Sequence, residues 1–344
     1  MNKRVQLMAL AVSLGCASAP AAAASYTKIF AFGDSLSDAG NLFSESGQTI
    51  PLAPYKAGHF SNGPTWVEDL NQMLGLGAMQ PFLTSADGTN FAFGGAQTGP
   101  TEINPFDPNS PVHIDFPDQI AAYDLLNPAP VKGALYTLDI GANDILNALA
   151  AYVEGKLSLD GVQKVVGEAE VNTIDSVKSL FGLGARSLLF YEAPNLGLTP
   201  RFDGTPLQGL ASGFAESFNA EVLKGLAPLE GDGLKVFALD TYDLLGEIKA
   251  DPSKFGFTNV TAPCWTGGFT DPDSGTLCSP NLADQNQFLF WDAIHPTAAG
   301  HLLTAEFALD ALNAPEPSTW AMMLVGFAGL GLASMLSSRG SAAA

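Results

Sequence analysis

Basic residues are scarce in this chain. Fifteen Lys and Arg stand against 35 Asp and Glu, giving a formal net charge of −20 over 344 residues. That imbalance argues against a nucleic-acid partner and against a stably bound anionic membrane surface, since both demand a basic face. Charge of either sign is thin at 15% of residues, while 36 Gly and 23 Pro interrupt the chain often. Hydrophobic residues make up 47%, so the composition is that of a loop-rich globular protein and not of a disordered one. Cysteine is nearly absent, with three in all, and Cys16 lies in the amino-terminal segment. Histidine is limited to four: His59, His113, His295 and His301. Any chemistry that needs an imidazole therefore has few choices. No internal repeat is present, and one large α/β domain accounts for the length.

Both ends read as sorting segments. Residues 1–24 hold Lys3 and Arg4, an apolar run from Val5 to Gly15, and Ala22-Ala23-Ala24 before Ser25. This is the layout of a signal peptide for the Sec machinery, cut after Ala24. At the other end Pro315-Glu316-Pro317 precedes an apolar stretch, Ala321 to Leu336, and then Arg339. As a helix Trp320 to Leu336 would span roughly 26 Å, at the short end for crossing a bilayer. It has no polar face with which to pack on a soluble domain. The expected organisation is a signal peptide at 1–24, a globular domain at 25–313, and a sorting segment with one short transmembrane helix at 314–344. The Pro-Glu-Pro, the short span and the trailing arginine resemble the PEP-CTERM signal of Gram-negative exopolysaccharide producers. That resemblance implies an exosortase as partner, transient membrane contact through the carboxy-terminal helix, and a final place at the cell surface or in the extracellular matrix.

Between the ends, apolar runs alternate with helical patterns. Lys28 to Phe32, Ala134 to Ile140, Arg186 to Tyr191 and Leu234 to Leu239 read as strands. Helical spacing predicts helices from Trp66 to Leu74 with Pro64 as first residue, and over Pro117–Leu126, Asn143–Val153, Leu159–Leu183, Pro206–Leu229, Thr241–Ala250 and Pro296–Leu312. Leu42 to Phe60 and Pro100 to Asp115 read as loops. Near-continuous apolar strands that alternate with helices argue for a parallel sheet covered on both faces. Cys264 and Cys278 bracket a Gly/Asp-rich loop. In an exported chain they most simply pair, contributing about 3 kcal/mol by chain entropy. Histidines at ligand spacing, which a zinc site would need, are missing around them.

The chemistry-bearing residues sit where strands end. Phe32-Gly33-Asp34-Ser35-Leu36 puts a serine at the carboxyl end of the first strand, where ligands of open α/β sheets bind. Asn90 to Gly99 reads as a short strand running into Gly94-Gly95, and Gly141-Ala142-Asn143-Asp144 opens a helix after another strand. A serine hydroxyl is inert alone and needs a base, a group to orient that base, and donors for an oxyanion. Of the four histidines only His295 stands just outside a helix start with an aspartate, Asp292, three residues before it. Acyl transfer follows: Ser35 as nucleophile, His295 as base, Asp292 as its orienting carboxylate. The oxyanion donors would be the N–H of Ser35, the N–H of Gly94 (with Gly95 as the alternative) and the side-chain amide of Asn143. Asp34 reads as structural.

In order, these four stretches resemble the conserved blocks of the GDSL/SGNH hydrolase family. Ser61-Asn62-Gly63-Pro64-x-Trp66 and Pro194-Asn195-x-Gly197-x-Thr199-Pro200 are similar to its lipase/acylhydrolase branch. The resemblance runs from about Thr27 to Leu312. It implies a flavodoxin-like three-layer α/β/α sandwich, no metal or other cofactor, and hydrolysis of carboxylic esters in lipids, small esters or acylated sugars. O-deacetylation of surface polysaccharide, and a catalytically silent surface protein on the same scaffold, are the alternatives.

Overall fold

The structure, a computed structural model, describes residues 26–100 and 114–313. The expected signal peptide, the sorting segment with its Trp320–Leu336 span, and His113 lie outside the described residues. Among the described residues no helix is long and apolar enough to cross a membrane.

Four strands build the central sheet: β1 (Lys28–Gly33), β2 (Ala134–Asp139), β3 (Ser187–Tyr191) and β4 (Lys235–Leu239). They pair in the order β1-β2-β3-β4, all parallel. On the free edge of β1 the chain at 89–93 runs alongside as a rudimentary fifth member. Asn90 bridges Ala31 in parallel, and the N–H groups of Phe91 and Phe93 donate to the carbonyls of Ala31 and Gly33. Counting that segment second in the chain, the spatial order is 2-1-3-4-5, that of flavodoxin-like sheets.

Side-chain alternation along β1 and β3 makes the layers. Phe30 and Phe32 of β1 and Leu188 and Phe190 of β3 face one way, against α3 (Phe116–Leu126), α4 (Ala142–Val153), α5 (Leu159–Gly182) and α6 (Gln208–Gly231). Ile29 and Ala31 of β1 and Leu189 and Tyr191 of β3 face the other way, against α2 (Trp66–Met73) and α9 (Ala298–Asn313). Strands buried on both faces have no polar side to alternate with, which is why they read as unbroken apolar runs. Within the unit Ser25–Leu312 this is the expected α/β/α sandwich.

The differences from expectation are local. α2 starts at Trp66 and not at Pro64, because Thr65 and Glu68 form a capping box that places the helix start after Thr65. Pro206 likewise precedes α6, and α9 begins at Ala298 behind Pro296, which bridges Phe290. A five-residue helix, α1 (Asn41–Glu45), lies where loop was expected. Asp38 makes it: its carboxylate accepts the N–H groups of Gly40, Asn41 and Leu42. Beyond α7 (Thr241–Ala250), two short strands, β5 (Asn259–Pro263) and β6 (Phe288–Phe290), form a separate parallel pair, with α8 (Leu282–Gln285) between them. Neither strand is long enough to show a period in sequence. β6 matters for function, since it delivers the chain to Asp292 and His295. Cys264 and Cys278 are disulfide-bonded. The loop they close carries Phe269, which packs against Tyr55, Phe60 and His295.

His301, inside α9, is fully buried, and its Nδ1 accepts the N–H of Trp66. Burial pushes it down to about 3 from an ordinary 6.5, helped by the nearby His295 and His59 and opposed by Glu68. The unfolded chain then binds a proton at this site that the fold does not, so stability is lost as pH falls from about 6.5 toward 3. His301→Asn, which keeps an acceptor for Trp66, should flatten that loss. The unfolding free energy of wild type relative to the variant should fall with acidification by at most about 1.4 kcal/mol per pH unit. Denaturant titrations of both proteins at several pH values check this, and parallel curves would refute it.

Candidate active site

Gly33 is the hinge on which the site turns. Its φ is +143°, and a Cβ there would sit 2.1 Å from the carbonyl oxygen of Asp139 on β2. Only glycine lets β1 end this close to its neighbour. Gln119 of α3 then clamps the spot, accepting from Gly33 N–H at 2.8 Å and donating to Gly33 O at 2.7 Å. The chain leaves the sheet with Ser35 exposed to a cavity of about 320 Å³. Asn143, at the start of α4, and His295, after β6, line the same cavity.

Ser35, His295 and Asp292 form one hydrogen-bonded series. Ser35 Oγ lies 2.8 Å from His295 Nε2, and His295 Nδ1 lies 2.7 Å from Asp292 Oδ2. Asp292 is itself held. Its Oδ1 accepts the N–H groups of Ile294 and His295, both at 2.8 Å, and its Oδ2 also accepts the Tyr55 hydroxyl at 2.8 Å. Burial would raise the Asp292 carboxyl, but the charge of His295 and these hydrogen bonds outweigh it and keep the group below its usual range. It stays a carboxylate. Burial and the charge of Asp292 push the Tyr55 phenol far up, so Tyr55 stays a donor.

Asn143 is not a helix cap; Gly141 holds that position. Its amide donates to Ala96 O at 3.0 Å and to Asp34 Oδ2 at 3.2 Å. Asp34 also accepts the N–H of Leu36, and the Asp34 backbone N–H donates to Asp139 O. Burial raises both Asp34 and Asp139, and each is raised further by a neighbouring carboxylate. Asp144, next to Asn143, accepts both the N–H and the hydroxyl of Thr98 and is pushed up to about 7 by burial. These bonds tie the glycine loop to α4.

Gly94 needs correcting as an expected donor. Its N–H is already given to Asp38 Oδ2 at 2.8 Å. A Cβ at Gly94 would lie 2.5 Å from the Phe60 ring, so the residue is glycine for packing. The N–H groups of Gly95 and of Ser35 have no acceptor among the described residues. Gly95 has φ +82°, a left-handed conformation that favours glycine at this turn.

His59 does not join the site. It pairs with Glu68 at 2.9 Å in the α2 cap. Tyr55, Asp38, Phe60 and Phe269 were not anticipated as parts of the site. Asp38 had a local signal, an aspartate two and three residues before Gly40-Asn41 at a helix start. Tyr55, inside a stretch read as loop, had none. Among the described residues no cluster of His, Cys, Asp and Glu could hold a metal ion.

Fold and site together describe a flavodoxin-like α/β/α protein with a serine, a histidine and an aspartate in hydrogen-bonded series at the carboxyl ends of its strands. The family model GDSL-like Lipase/Acylhydrolase matches residues 29–308, and the chain belongs to that family. It is 30% identical over 343 residues to esterase EstA of Pseudomonas aeruginosa, covering 90% of this chain and 50% of that protein. With GDSL esterase/lipase 6 of Arabidopsis thaliana it shares 26% identity over 305 residues, covering 78% of this chain and 82% of the relative. The chain thus spans about half the length of EstA, and 51% of an uncharacterised Pseudomonas putida relative that is 29% identical. Among solved structures, Axe2, an acetylxylan esterase from Geobacillus stearothermophilus, covers 85% of this chain at 15% identity and a TM-score of 0.45, with 96% of its own chain matched.

Proposed function

We propose that this protein is an exported serine ester hydrolase that works through an acyl-enzyme on Ser35. The observation that carries the reading is the buried series Ser35–His295–Asp292, opening on one cavity with Asn143. His295 Nε2 takes the Ser35 proton as Oγ bonds to the ester carbonyl carbon. The imidazolium, steadied by Asp292, then gives that proton to the departing alkoxide. Water repeats the sequence and returns free Ser35 and the carboxylic acid.

The oxyanion is met by the N–H groups of Ser35 and Gly95 and by the Asn143 amide. Gly95 takes the part first given to Gly94, because Asp38 already holds the Gly94 N–H. The long 3.2 Å bond from Asn143 to Asp34 is the one an oxyanion would displace. Asn143→Ala should lower kcat by about 10²–10³ with little change in KM. Steady-state kinetics on an aryl ester test it; a change confined to KM would remove Asn143 from the oxyanion hole.

Export is supported by the signal-like residues 1–24 and by the Cys264–Cys278 disulfide, which belongs to oxidising compartments. The Pro-Glu-Pro segment supports exosortase processing and surface delivery. The deciding experiment for the activity is labelling with a serine-directed fluorophosphonate, followed by peptide mapping and hydrolysis of a short aryl ester. One label per chain on Ser35 with loss of turnover is expected. No label and no turnover would sink the reading in favour of a silent scaffold.

A further inference from the structure

Next to the catalytic cavity lies a second cavity of about 60 Å³ that the chemistry above does not use. The two share a wall, since Leu36, Pro194 and Ile294 line both. Leu36 directly follows the nucleophile and Ile294 directly precedes His295, so this wall borders the reacting atoms. Leu245 and Ile248 of α7 and Thr304 of α9 line the second cavity and not the first. No charged side chain lines it. The catalytic cavity, by contrast, is edged by Asp34, Asn143, Asn147, Arg201 and Thr270.

We infer that the small apolar cavity receives the acyl chain of the ester, and that its size restricts the enzyme to short chains. The inference rests on the hydrolase reading above and deepens it. Once Ser35 is acylated, the carbonyl is fixed between His295 and the oxyanion donors. The alcohol departs toward the polar cavity, where water must also enter. The acyl chain, with nothing to offer polar groups, gains by lying behind Leu36 and Ile294. A cavity this size takes about four groups of water or methylene dimensions. Each methylene buried there should raise kcat/KM about four-fold. The gain should stop near six carbons, where the chain meets α7.

The test compares p-nitrophenyl acetate, butanoate, hexanoate and decanoate on the wild type and on Ile248→Phe and Leu245→Ala. For the wild type, kcat/KM should climb on the order of 10²-fold from acetate to hexanoate, four methylenes, and drop at decanoate. Ile248→Phe, which fills the cavity, should cut the hexanoate-to-acetate ratio at least ten-fold. Leu245→Ala, which enlarges it, should move the optimum at least two carbons longer. Thermal unfolding confirms that each variant is folded, and the enlarged variant decides the matter if the filled one is not. An active enzyme whose chain-length ratios are the same in every folded variant overturns the cavity assignment while leaving the hydrolase reading intact. A wild type that hydrolyses none of the four esters and takes no fluorophosphonate overturns both.

Discussion

Replacing Ser35 with alanine should lower kcat on a short aryl ester by about 10⁶-fold, to the residue that binding and an oxyanion hole provide without a nucleophile. The size follows from the way the site is connected. Ser35 Oγ is bonded to His295 Nε2 and His295 Nδ1 to Asp292, so the three act as one device. Removing the nucleophile leaves a base with no proton to take. Ser35→Ala combined with His295→Ala should therefore be hardly worse than Ser35→Ala alone. Stability should barely move. Among the described residues the serine hydroxyl's partner is His295, whose freed nitrogen faces a cavity that admits water. The unfolding free energy is expected to stay within about 1 kcal/mol of wild type. Single-turnover kinetics together with denaturant unfolding separate the two effects. Activity retained within ten-fold of wild type, in a folded variant, would move the nucleophile elsewhere.

Ser35 was legible because its signal is local, and so were Asn143, Asp292 and His295. Each closes a strand or opens a helix within a short string, and in open α/β folds those places converge. The sheet was legible for a related reason. β1, β2 and β3 are buried on both faces, so each appears as a nearly unbroken apolar run between glycines or turns. Tyr55 was hidden because its partner, Asp292, is 237 residues away and nothing near Tyr55 marks it. The choice between Gly94 and Gly95 was hidden as well. Asp38 makes it by reaching across 56 residues to take one N–H and leave the next. β5 and β6 escaped because strands of five and three residues, set apart from the main sheet, carry no period to read. Sequence pattern thus found the residues that the fold brings to one cavity, while the hydrogen bonds and cavity walls that aim them exist only in the fold.

Asp292→Asn should cost about 10⁴-fold in kcat without unfolding the protein, and the hydrogen bonds around the carboxylate say why. Oδ1 accepts two backbone N–H groups, from Ile294 and His295. An amide nitrogen in that position would face two donors, so the Asn oxygen must take it. The amide NH₂ then falls where Oδ2 was, facing His295 Nδ1 and the Tyr55 hydroxyl. Tyr55 can rotate its O–H away and accept. His295 can accept only by giving up the proton on Nδ1, which moves it to Nε2, toward Ser35. The imidazole is then held in place as a donor to the group it should deprotonate. Tyr55→Phe provides the control: it removes one bond to Oδ2 but keeps the tautomer, and should cost no more than about ten-fold. Proton NMR of the ring N–H groups of His295 reads the tautomer directly. If the two variants lose activity equally while the Nδ1 proton persists in both, the carboxylate acts by fixing the position of His295, and its control of the tautomer contributes nothing to the rate.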